Sequence, residues 1–317
     1  MTNPAFCQAA LDCFRVQYES CAVYQDYCQA LRRTPERVSL LTDIPFLPVS
    51  FFKTHRVISG NPDGPFDAVF TSSGTTGADT SRHFVKSLSG YEQSFRAGFE
   101  AAYGPVENWV ILALLPAYLE RQGSSLVYMA EALVKESDRP ESGFYLYDHP
   151  ALAKQLTDLE ACGQKTLLLG VTFALLDFAE AFPMPLKHTV VMETGGMKGR
   201  KKEQTRAEVH AALGAAFSIP AIHSEYGMTE MLSQAYSSGE GLFTPSDTMR
   251  ALVREVSDPL AVYASGSGVV NIIDLSNQDS CAFLATEDIG RVAPDGRFEI
   301  LGRLDHSALR GCSLLTV

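Results

Sequence analysis

A short loop rich in glycine and hydroxyl residues is the part of this sequence best suited to chemistry. It reads Thr71-Ser-Ser-Gly-Thr-Thr-Gly77 and follows a predicted strand at residues 66–70. Backbone amides in such a loop can point inward and form a concave anion site. Its hydroxyl groups can donate to phosphate oxygens or bind magnesium. No Gly-Lys-Ser/Thr follows at the spacing of a P-loop, and the composition alone fits a flexible turn equally well.

A second candidate segment reads His223-Ser-Glu-Tyr-Gly-Met-Thr-Glu230. Tyr226 offers an aromatic face for a base, and Gly227 allows close backbone approach. Thr229 and Glu230 offer a phosphate donor and a hard oxygen ligand for magnesium. Upstream, residues 193–197 read Glu-Thr-Gly-Gly-Met after an apolar strand, which places their glycines at the carboxyl edge of a parallel sheet. Each segment taken alone is also typical of an ordinary turn.

A third candidate lies near the carboxyl terminus. Thr286-Glu-Asp-Ile-Gly-Arg291 is followed by Leu301-Gly-Arg-Leu-Asp305. The carboxylate of Asp288 can accept both hydroxyls of a ribose, and the guanidinium of Arg303 can contact ribose or phosphate. The alternative is a hairpin with exposed charged residues, which we would favour if this segment stood alone.

Strands and helices are predicted to alternate along the middle of the chain. Helices are expected at 91–103 (capped by Ser89), 125–135, 151–161, 172–181 and 201–213, and strands at 66–70, 109–115, 165–169 and 188–193. This alternation predicts an α/β fold with parallel sheets flanked by helices. Before it, residues 12–31 are predicted as one helix. After it, short strands at 269–275, 281–285 and 298–300 predict a small antiparallel β subdomain.

Composition and charge exclude several classes of partner. The chain has 317 residues, 46% of them hydrophobic, and a net charge of −11, so nucleic acid is not an expected partner. No membrane span and no signal peptide are expected, which predicts a cytoplasmic protein. The seven cysteines fit that compartment better than a disulfide framework. Cys7, Cys13, Cys21 and Cys28 have gaps that match no common zinc pattern, so they are interpreted as small buried hydrophobes.

Taken together and in this order, the three segments resemble the adenylate-forming superfamily of acyl-CoA ligases, luciferases and peptide-synthetase adenylation domains. The resemblance implies ATP and Mg²⁺ as cofactors and gives catalytic roles to Thr75, Glu230 and Arg303, with Glu230 as the magnesium ligand. It also implies that Asp288 binds ribose, that Tyr226 packs on adenine and that Thr229 contacts the α-phosphate. The remaining nucleotide-binding residues that it implies are Thr71, Ser72, Ser73, Gly74, Thr76, Gly77, Gly195, Gly196, Met197, Gly227 and Met228.

Further segments resemble, within that superfamily, the acyl-protein synthetases of bacterial bioluminescence. They are Phe46-Leu-Pro-Val-Ser-Phe-Phe-Lys53, Ser81-Arg-His83, Leu115-Pro-Ala-Tyr-Leu-Glu-Arg-Gln-Gly-Ser-Ser125 and the ending Arg310-Gly-Cys-Ser313. The resemblance implies an AMP-forming ligase that activates a fatty acid. It further implies that Cys312 carries the acyl group as a thioester before an acyl-accepting protein, such as a reductase, receives it.

Two departures from the superfamily leave alternatives open. The lysine that usually follows the phosphate loop is missing, which leaves Arg82 or His83 as candidate cations. Few residues follow Asp305, so the expected fold lacks the usual mobile carboxyl-terminal lysine domain. We expect an adenylate-forming core at 1–302 and a hinge remnant with the acyl-carrier tail at 303–317. The alternatives are an acyl-CoA ligase core acting with a separate carboxyl-terminal domain, and a nucleotide- or acyl-binding protein without catalysis.

Overall fold

The structure is a computed structural model and describes residues 3–72, 80–116, 123–195 and 204–304. Its α-helices within these residues are α1 (Pro4–Ser20), α2 (Ala22–Ala30), α3 (Phe51–Thr54), α4 (Leu88–Tyr103), α5 (Ser125–Glu136), α6 (His149–Cys162), α7 (Thr172–Ala181) and α8 (Arg206–Phe217). Among the described residues, no helix is long and apolar enough to cross a bilayer.

The strands of the described residues divide between a large sheet and a separate hairpin. They are β1 (Leu47–Pro48), β2 (Ala68–Thr71), β3 (Arg82–Val85), β4 (Val110–Leu114), β5 (Gly143–Phe144), β6 (Thr166–Val171), β7 (Thr189–Thr194), β8 (His223–Tyr226), β9 (Ala235–Ser237), β10 (Leu242–Pro245), β11 (Met249–Arg254), β12 (Val262–Tyr263), β13 (Gly266–Asp274), β14 (Phe283–Val292) and β15 (Phe298–Arg303). β2 and β3 form the hairpin.

The large sheet changes from parallel to antiparallel at β8. Strands β5, β4, β6, β7 and β8 are neighbours in that order, and each pair is parallel. The path continues through β9, β10, β15, β14, β13, β11 and β12, each pair antiparallel, while β1 pairs with β14. The predicted α/β fold with an antiparallel carboxyl-terminal part is confirmed. The antiparallel part begins earlier than predicted, at Ala235, because β9 to β12 are short strands without a clear apolar pattern.

Helices cover both faces of the parallel strands. Along β4, the side chains of Ile111 and Ala113 pack with α4 and α5, whereas those of Val110, Leu112 and Leu114 pack with α6, α7 and α8. This alternation follows from the period of two in a strand. Because both faces are buried, the ligand-binding groups of the parallel part must lie at the ends of its strands.

The predicted helix at 12–31 is two helices instead of one, and it starts earlier than predicted. Cys21 has an extended backbone and ends α1, and the hydroxyl of Ser20 donates to the carbonyl of Val16 at 2.7 Å. Such a bond satisfies a helix-end carbonyl and competes with continuation of the helix. Both helices pack on the antiparallel strands through residues such as Phe14 and Tyr24.

The amino-terminal cysteines have the role predicted for them. Cys21 and Cys28 are fully buried, and Cys7 and Cys13 pack against the same core. Burial raises the pKa of Cys28 to about 12. Within the described residues, no cluster of three or more His, Cys, Asp or Glu side chains is arranged to hold a metal.

One predicted helix cap is wrong. The side chain of Ser87, rather than Ser89, caps α4 by accepting a hydrogen bond from the backbone N–H of Gly90 at 3.3 Å. The helix therefore begins at Leu88, three residues before the predicted start. Ser89 lies within the first turn, and its hydroxyl is 2.9 Å from that of Ser87.

Candidate active site

The ends of β7 and β8 bring two of the candidate segments together. The strands are parallel neighbours, with Thr194 beside Glu225. Gly195 follows β7 directly and has φ +68°, a left-handed conformation that favours glycine. Gly227 follows β8 at the same edge of the sheet. The prediction that the glycines after residue 193 lie at a carboxyl edge is met for Gly195, whereas Gly196 and Met197 lie outside the described residues.

The third segment reaches this edge through the antiparallel hairpin β14–β15, in which Asp288 lies opposite Arg303. The hydroxyl of Tyr226 donates to Asp288 Oδ2 at 2.8 Å, and Arg303 Nε is 3.3 Å from Asp288 Oδ1. Asp288 is buried, in contrast to the exposed charge that an ordinary hairpin would carry. Burial raises the pKa of Asp288, and the hydrogen bond from Tyr226 and the charge of Arg303 act in the opposite direction.

Apolar side chains fix the ring of Tyr226. Its centroid lies 5.7 Å from that of Phe243 and 5.3 Å from that of Phe298, and only 8% of the residue is exposed. The aromatic contacts and the hydrogen bond to Asp288 leave the ring little freedom. The structure thus brings Tyr226, Asp288 and Arg303 together from three distant positions in the sequence.

The segment after β8 is held in place by hydrogen bonds to its backbone carbonyls. A Cβ at Gly227 would lie 2.6 Å from Glu225 Oε1, so a larger residue there would displace the Glu225 carboxyl group. The carbonyl of Met228 accepts from the N–H of Met231 at 3.1 Å. The carbonyl of Glu230 accepts from Asn277 Nδ2 at 2.8 Å. Glu230 itself is buried, and Thr229 is half-buried.

His83, one of the two candidate cations, lies in the interior of the protein. It is 1% exposed, with Nδ1 at 2.8 Å from the carbonyl of Thr229 and Nε2 at 3.1 Å from Asn277 Oδ1. Burial lowers the pKa of His83, against the opposing effect of these two hydrogen bonds. Both ring nitrogens of His83 are thus engaged by groups of the protein interior. Arg82 is exposed and stays a candidate.

Both ends of the predicted phosphate loop are anchored. The N–H of Thr71 donates to the carbonyl of Gly123 at 2.7 Å. The hydroxyl of Ser72 accepts from the N–H of Ser81 at 3.0 Å, and the N–H of Ser72 donates back to the carbonyl of Ser81 at 3.2 Å. The predicted site residues outside the described residues are Ser73, Gly74, Thr75, Thr76 and Gly77 of this loop, Gly196 and Met197 after β7, and Cys312 of the carboxyl-terminal tail.

Two buried carboxyl groups at this sheet edge were missed from the sequence. Glu193 accepts from Ser224 Oγ at 2.7 Å and from Thr172 Oγ1 at 3.1 Å. Burial tends to raise the pKa of Glu193, but hydrogen bonds from His210 and Ser224 and the charge of Arg206 bring it below its usual value. Sequence patterns gave no signal for this group, because its partners lie on three other elements.

Glu225 is the second missed group. It accepts a hydrogen bond from Thr194 Oγ1 and lies beneath the backbone of Gly227. Burial raises the pKa of Glu225 to about 7, and the neighbouring charge of Glu193 acts in the same direction. Glu225 is therefore largely protonated below neutral pH, in contrast to Glu193.

The amino-terminal part of the sequence is similar to a known family. Residues 2–91 match the family described as acyl-protein synthetase, LuxE. A long-chain-fatty-acid–luciferin-component ligase from Photorhabdus luminescens is 40% identical over 67 residues, which cover 21% of this chain and 56% of that protein. The match thus spans little more than half the length of this curated relative.

Solved structures share the fold over most of the chain. Apo MatB from Rhodopseudomonas palustris superposes with a TM-score of 0.54 at 16% identity, covering 75% of this chain and 48% of that one. A 2-hydroxyisobutyryl-CoA ligase in the postadenylation state, in complex with R3-HIB-AMP, gives 0.69 at 11% identity, covering 95% and 68%. The chain shares its fold with these proteins, and the fold that the resemblance in the sequence implies is confirmed.

The raised pKa of Glu225 makes stability depend on pH. A folded-state pKa of about 7 exceeds the ordinary value, so the stabilisation from the protonated group is present at low pH and is lost as pH rises through about 7. Through this group, the free energy of unfolding of the wild type should fall by about 2 kcal/mol between pH 5 and pH 8. Glu225→Gln, which stays neutral, should lack that fall. Urea unfolding of both proteins at both pH values measures this. An equal change in the two proteins would contradict the assignment.

Proposed function

We propose that this chain, which has the fold of the adenylate-forming enzymes and whose residues 2–91 match the acyl-protein synthetases, uses ATP to activate a carboxylic acid as an acyl-adenylate. The acid is of the fatty-acid class, and the acyl group then passes to a protein thiol. The observation that carries the proposal is the convergence of Tyr226, Asp288 and Arg303 beside the ends of β7 and β8.

The nucleoside part of ATP is assigned to this cluster. Asp288 keeps acceptor capacity beyond its contacts with Tyr226 and Arg303, because a carboxylate offers about four lone-pair sites. We assign it to the ribose hydroxyls and assign Tyr226 to the base. The segment that begins at Gly195 lies at the end of the neighbouring strand, so residues 195–197 are assigned to the adenine side.

The phosphates are assigned to the loop after β2 and to the segment 227–230. Thr71 and Ser72 are anchored at the base of the loop, which supports residues 73–77 as its phosphate-binding part. Thr229 is assigned to the α-phosphate. Arg303 and Thr75 are assigned the role of stabilising the charge that develops in the transition state.

The residues present fit a magnesium ion that arrives with the nucleotide. Glu230 offers a carboxylate on a backbone segment held by Asn277. Magnesium bound in this way takes most of its ligands from phosphates and water. When bound, the ion would neutralise charge on the phosphates and on the departing pyrophosphate.

The proposed chemistry has two balanced steps. An oxygen of the substrate carboxylate attacks the α-phosphorus, and the bond to the bridging oxygen breaks to release pyrophosphate. A thiolate then attacks the acyl carbonyl, and AMP leaves with the electron pair of the broken C–O bond.

We assign the thiol to Cys312 and propose a second protein, such as a reductase, as the final acceptor. Residues 1–302 would form the catalytic core of a cytoplasmic enzyme, and 303–317 the carrier segment.

Replacement of the Glu230 carboxylate tests the assignment of the metal ligand. Glu230→Gln should lower ATP–pyrophosphate exchange about 100-fold or more, because one preorganised electrostatic contact is worth ~2.7–4 kcal/mol in the transition state. Thermal unfolding of the variant checks that it is folded. Exchange within a few-fold of the wild-type rate would remove Glu230 from the site.

Nucleotide discrimination tests the ribose assignment. Wild type should bind ATP at least about tenfold tighter than 2′-deoxy-ATP, because one hydrogen bond to a charged group contributes about that much to affinity. Asp288→Ala should erase the difference, whereas Tyr226→Phe, which removes only the hydroxyl donor, should retain it. Calorimetric titrations of both nucleotides decide the matter, and equal binding by wild type would exclude Asp288 from ribose recognition.

Covalent labelling tests the carrier thiol. ATP, magnesium and the correct fatty acid should label the protein with an acyl group that neutral hydroxylamine releases, because a thioester is cleaved under those conditions. Cys312→Ser should abolish the label and leave pyrophosphate exchange intact. Cys162→Ser is the matched control, since Cys162 is an exposed cysteine far from 312 in the sequence. Labelling that persists without Cys312, or acylation of coenzyme A alone, would overturn the carrier assignment.

A further inference from the structure

We infer that His83 and Asn277 are positioning residues that fix the backbone of Thr229 and Glu230 for nucleotide binding, an inference that rests on the proposed function. The two side chains contact each other at 3.1 Å and contact the two consecutive carbonyls of that segment at 2.8 Å each. They come from parts of the sequence 194 residues apart. Neither residue lies on the segment that it holds.

The orientation of Asn277 is determined by its partners. Its Nδ2 donates to the carbonyl of Glu230 at 2.8 Å and to the carbonyl of Cys281 at 3.0 Å. Both amide protons are used, so Oδ1 must face His83. The Asn277 side chain therefore holds Glu230 on one side and the imidazole on the other.

The loop that carries Asn277 is itself fastened to the amino-terminal part of the chain. Gln17 Nε2 donates to the carbonyl of Asn277 at 2.9 Å, and Gln17 Oε1 accepts from the N–H of Ala282 at 2.8 Å. Ser59 Oγ donates to the carbonyl of Ser280 at 2.6 Å. Gln17, Ser59 and His83 all lie within the segment 2–91 that matches the acyl-protein synthetases.

The burial of two polar side chains is less favourable than the burial of apolar ones, and this points to a positioning role. Asn277 is fully buried and His83 is 1% exposed. Buried polar groups need complete hydrogen bonding, whereas apolar side chains would pack there without that requirement. What the polar pair adds is a fixed position for two carbonyls beside the carboxylate of Glu230.

Variants of Asn277 and a matched neighbour separate positioning from stability. Asn277→Ala removes the donor to Glu230. Ser280→Ala is the control, because Ser280 is fully buried in the same loop and donates to the carbonyl of Val57 at 2.8 Å, away from the site. His83→Gln keeps one donor and should show a smaller effect than His83→Leu. If Asn277→Ala does not fold, Asn277→Asp, which keeps the volume but not the donor, takes its place.

The readouts are calorimetric binding of ATP with and without magnesium, and thermal unfolding. Asn277→Ala should weaken magnesium-dependent ATP binding about 10- to 100-fold, the usual effect of losing a residue that orients a metal ligand. Binding without magnesium should change less than about threefold. Ser280→Ala should lower the melting temperature without the loss of magnesium-dependent binding. Equal binding losses in the two variants would show that Asn277 serves only the stability of the loop.

A double variant shows whether Asn277 acts through Glu230. Glu230→Gln combined with Asn277→Ala should bind magnesium–ATP no worse than Glu230→Gln alone, because coupled residues are non-additive. Additive losses would overturn the inference while the proposed function stands. If Glu230→Gln alone leaves magnesium-dependent binding unchanged, the magnesium assignment of the proposed function is wrong, and the positioning role is wrong with it.

Discussion

The buried amide of Asn277 is the contact through which three distant parts of the chain constrain one another. Its backbone is held by Gln17 of α1, its Oδ1 meets His83 of β3, and its Nδ2 holds the carbonyl of Glu230. A buried polar group is costly unless its hydrogen bonds are formed, so displacing any one partner disturbs the others. The amino-terminal helices, the hairpin that flanks the candidate phosphate loop and the candidate metal ligand are thereby linked.

The change of direction at β8 is the second constraint. Up to β8 the sheet is parallel, which leaves the carboxyl ends of β7 and β8 free to present Gly195 and Gly227. From β9 onward the successive strands of the sheet are antiparallel, with β1 added in parallel beside β14, and this brings the hairpin β14–β15 back with Asp288 and Arg303. The hydroxyl of Tyr226 joins the two parts by its bond to Asp288. One continuous sheet therefore brings Tyr226 and Asp288, which are 62 residues apart in the sequence, into contact at the candidate site.

Much of this architecture could be predicted from local patterns. The buried strand β4 and the helix α7 follow from apolar runs and spacing, and the bounds predicted for α7 are those observed. The pairing of His83 with Asn277 could not be predicted, because nothing in either local sequence encodes a contact across 194 positions. Glu225 was missed for a related reason: a glutamate within a strand predicts a solvated face, and only the tertiary structure buries it. The segments 223–230 and 286–291 were identified as site candidates by motif, and the structure brings Tyr226 and Asp288 together.

The central claim is that this site forms an acyl-adenylate, and ATP–pyrophosphate exchange tests it most directly. The full chain should be incubated with ATP, magnesium and labelled pyrophosphate across a panel of carboxylic acids that includes fatty acids of different lengths. The account predicts exchange that requires both magnesium and one class of acid, with fatty acids the most active. ATP binding without exchange for any acid in the panel would contradict it and would leave a nucleotide-binding protein without this catalysis.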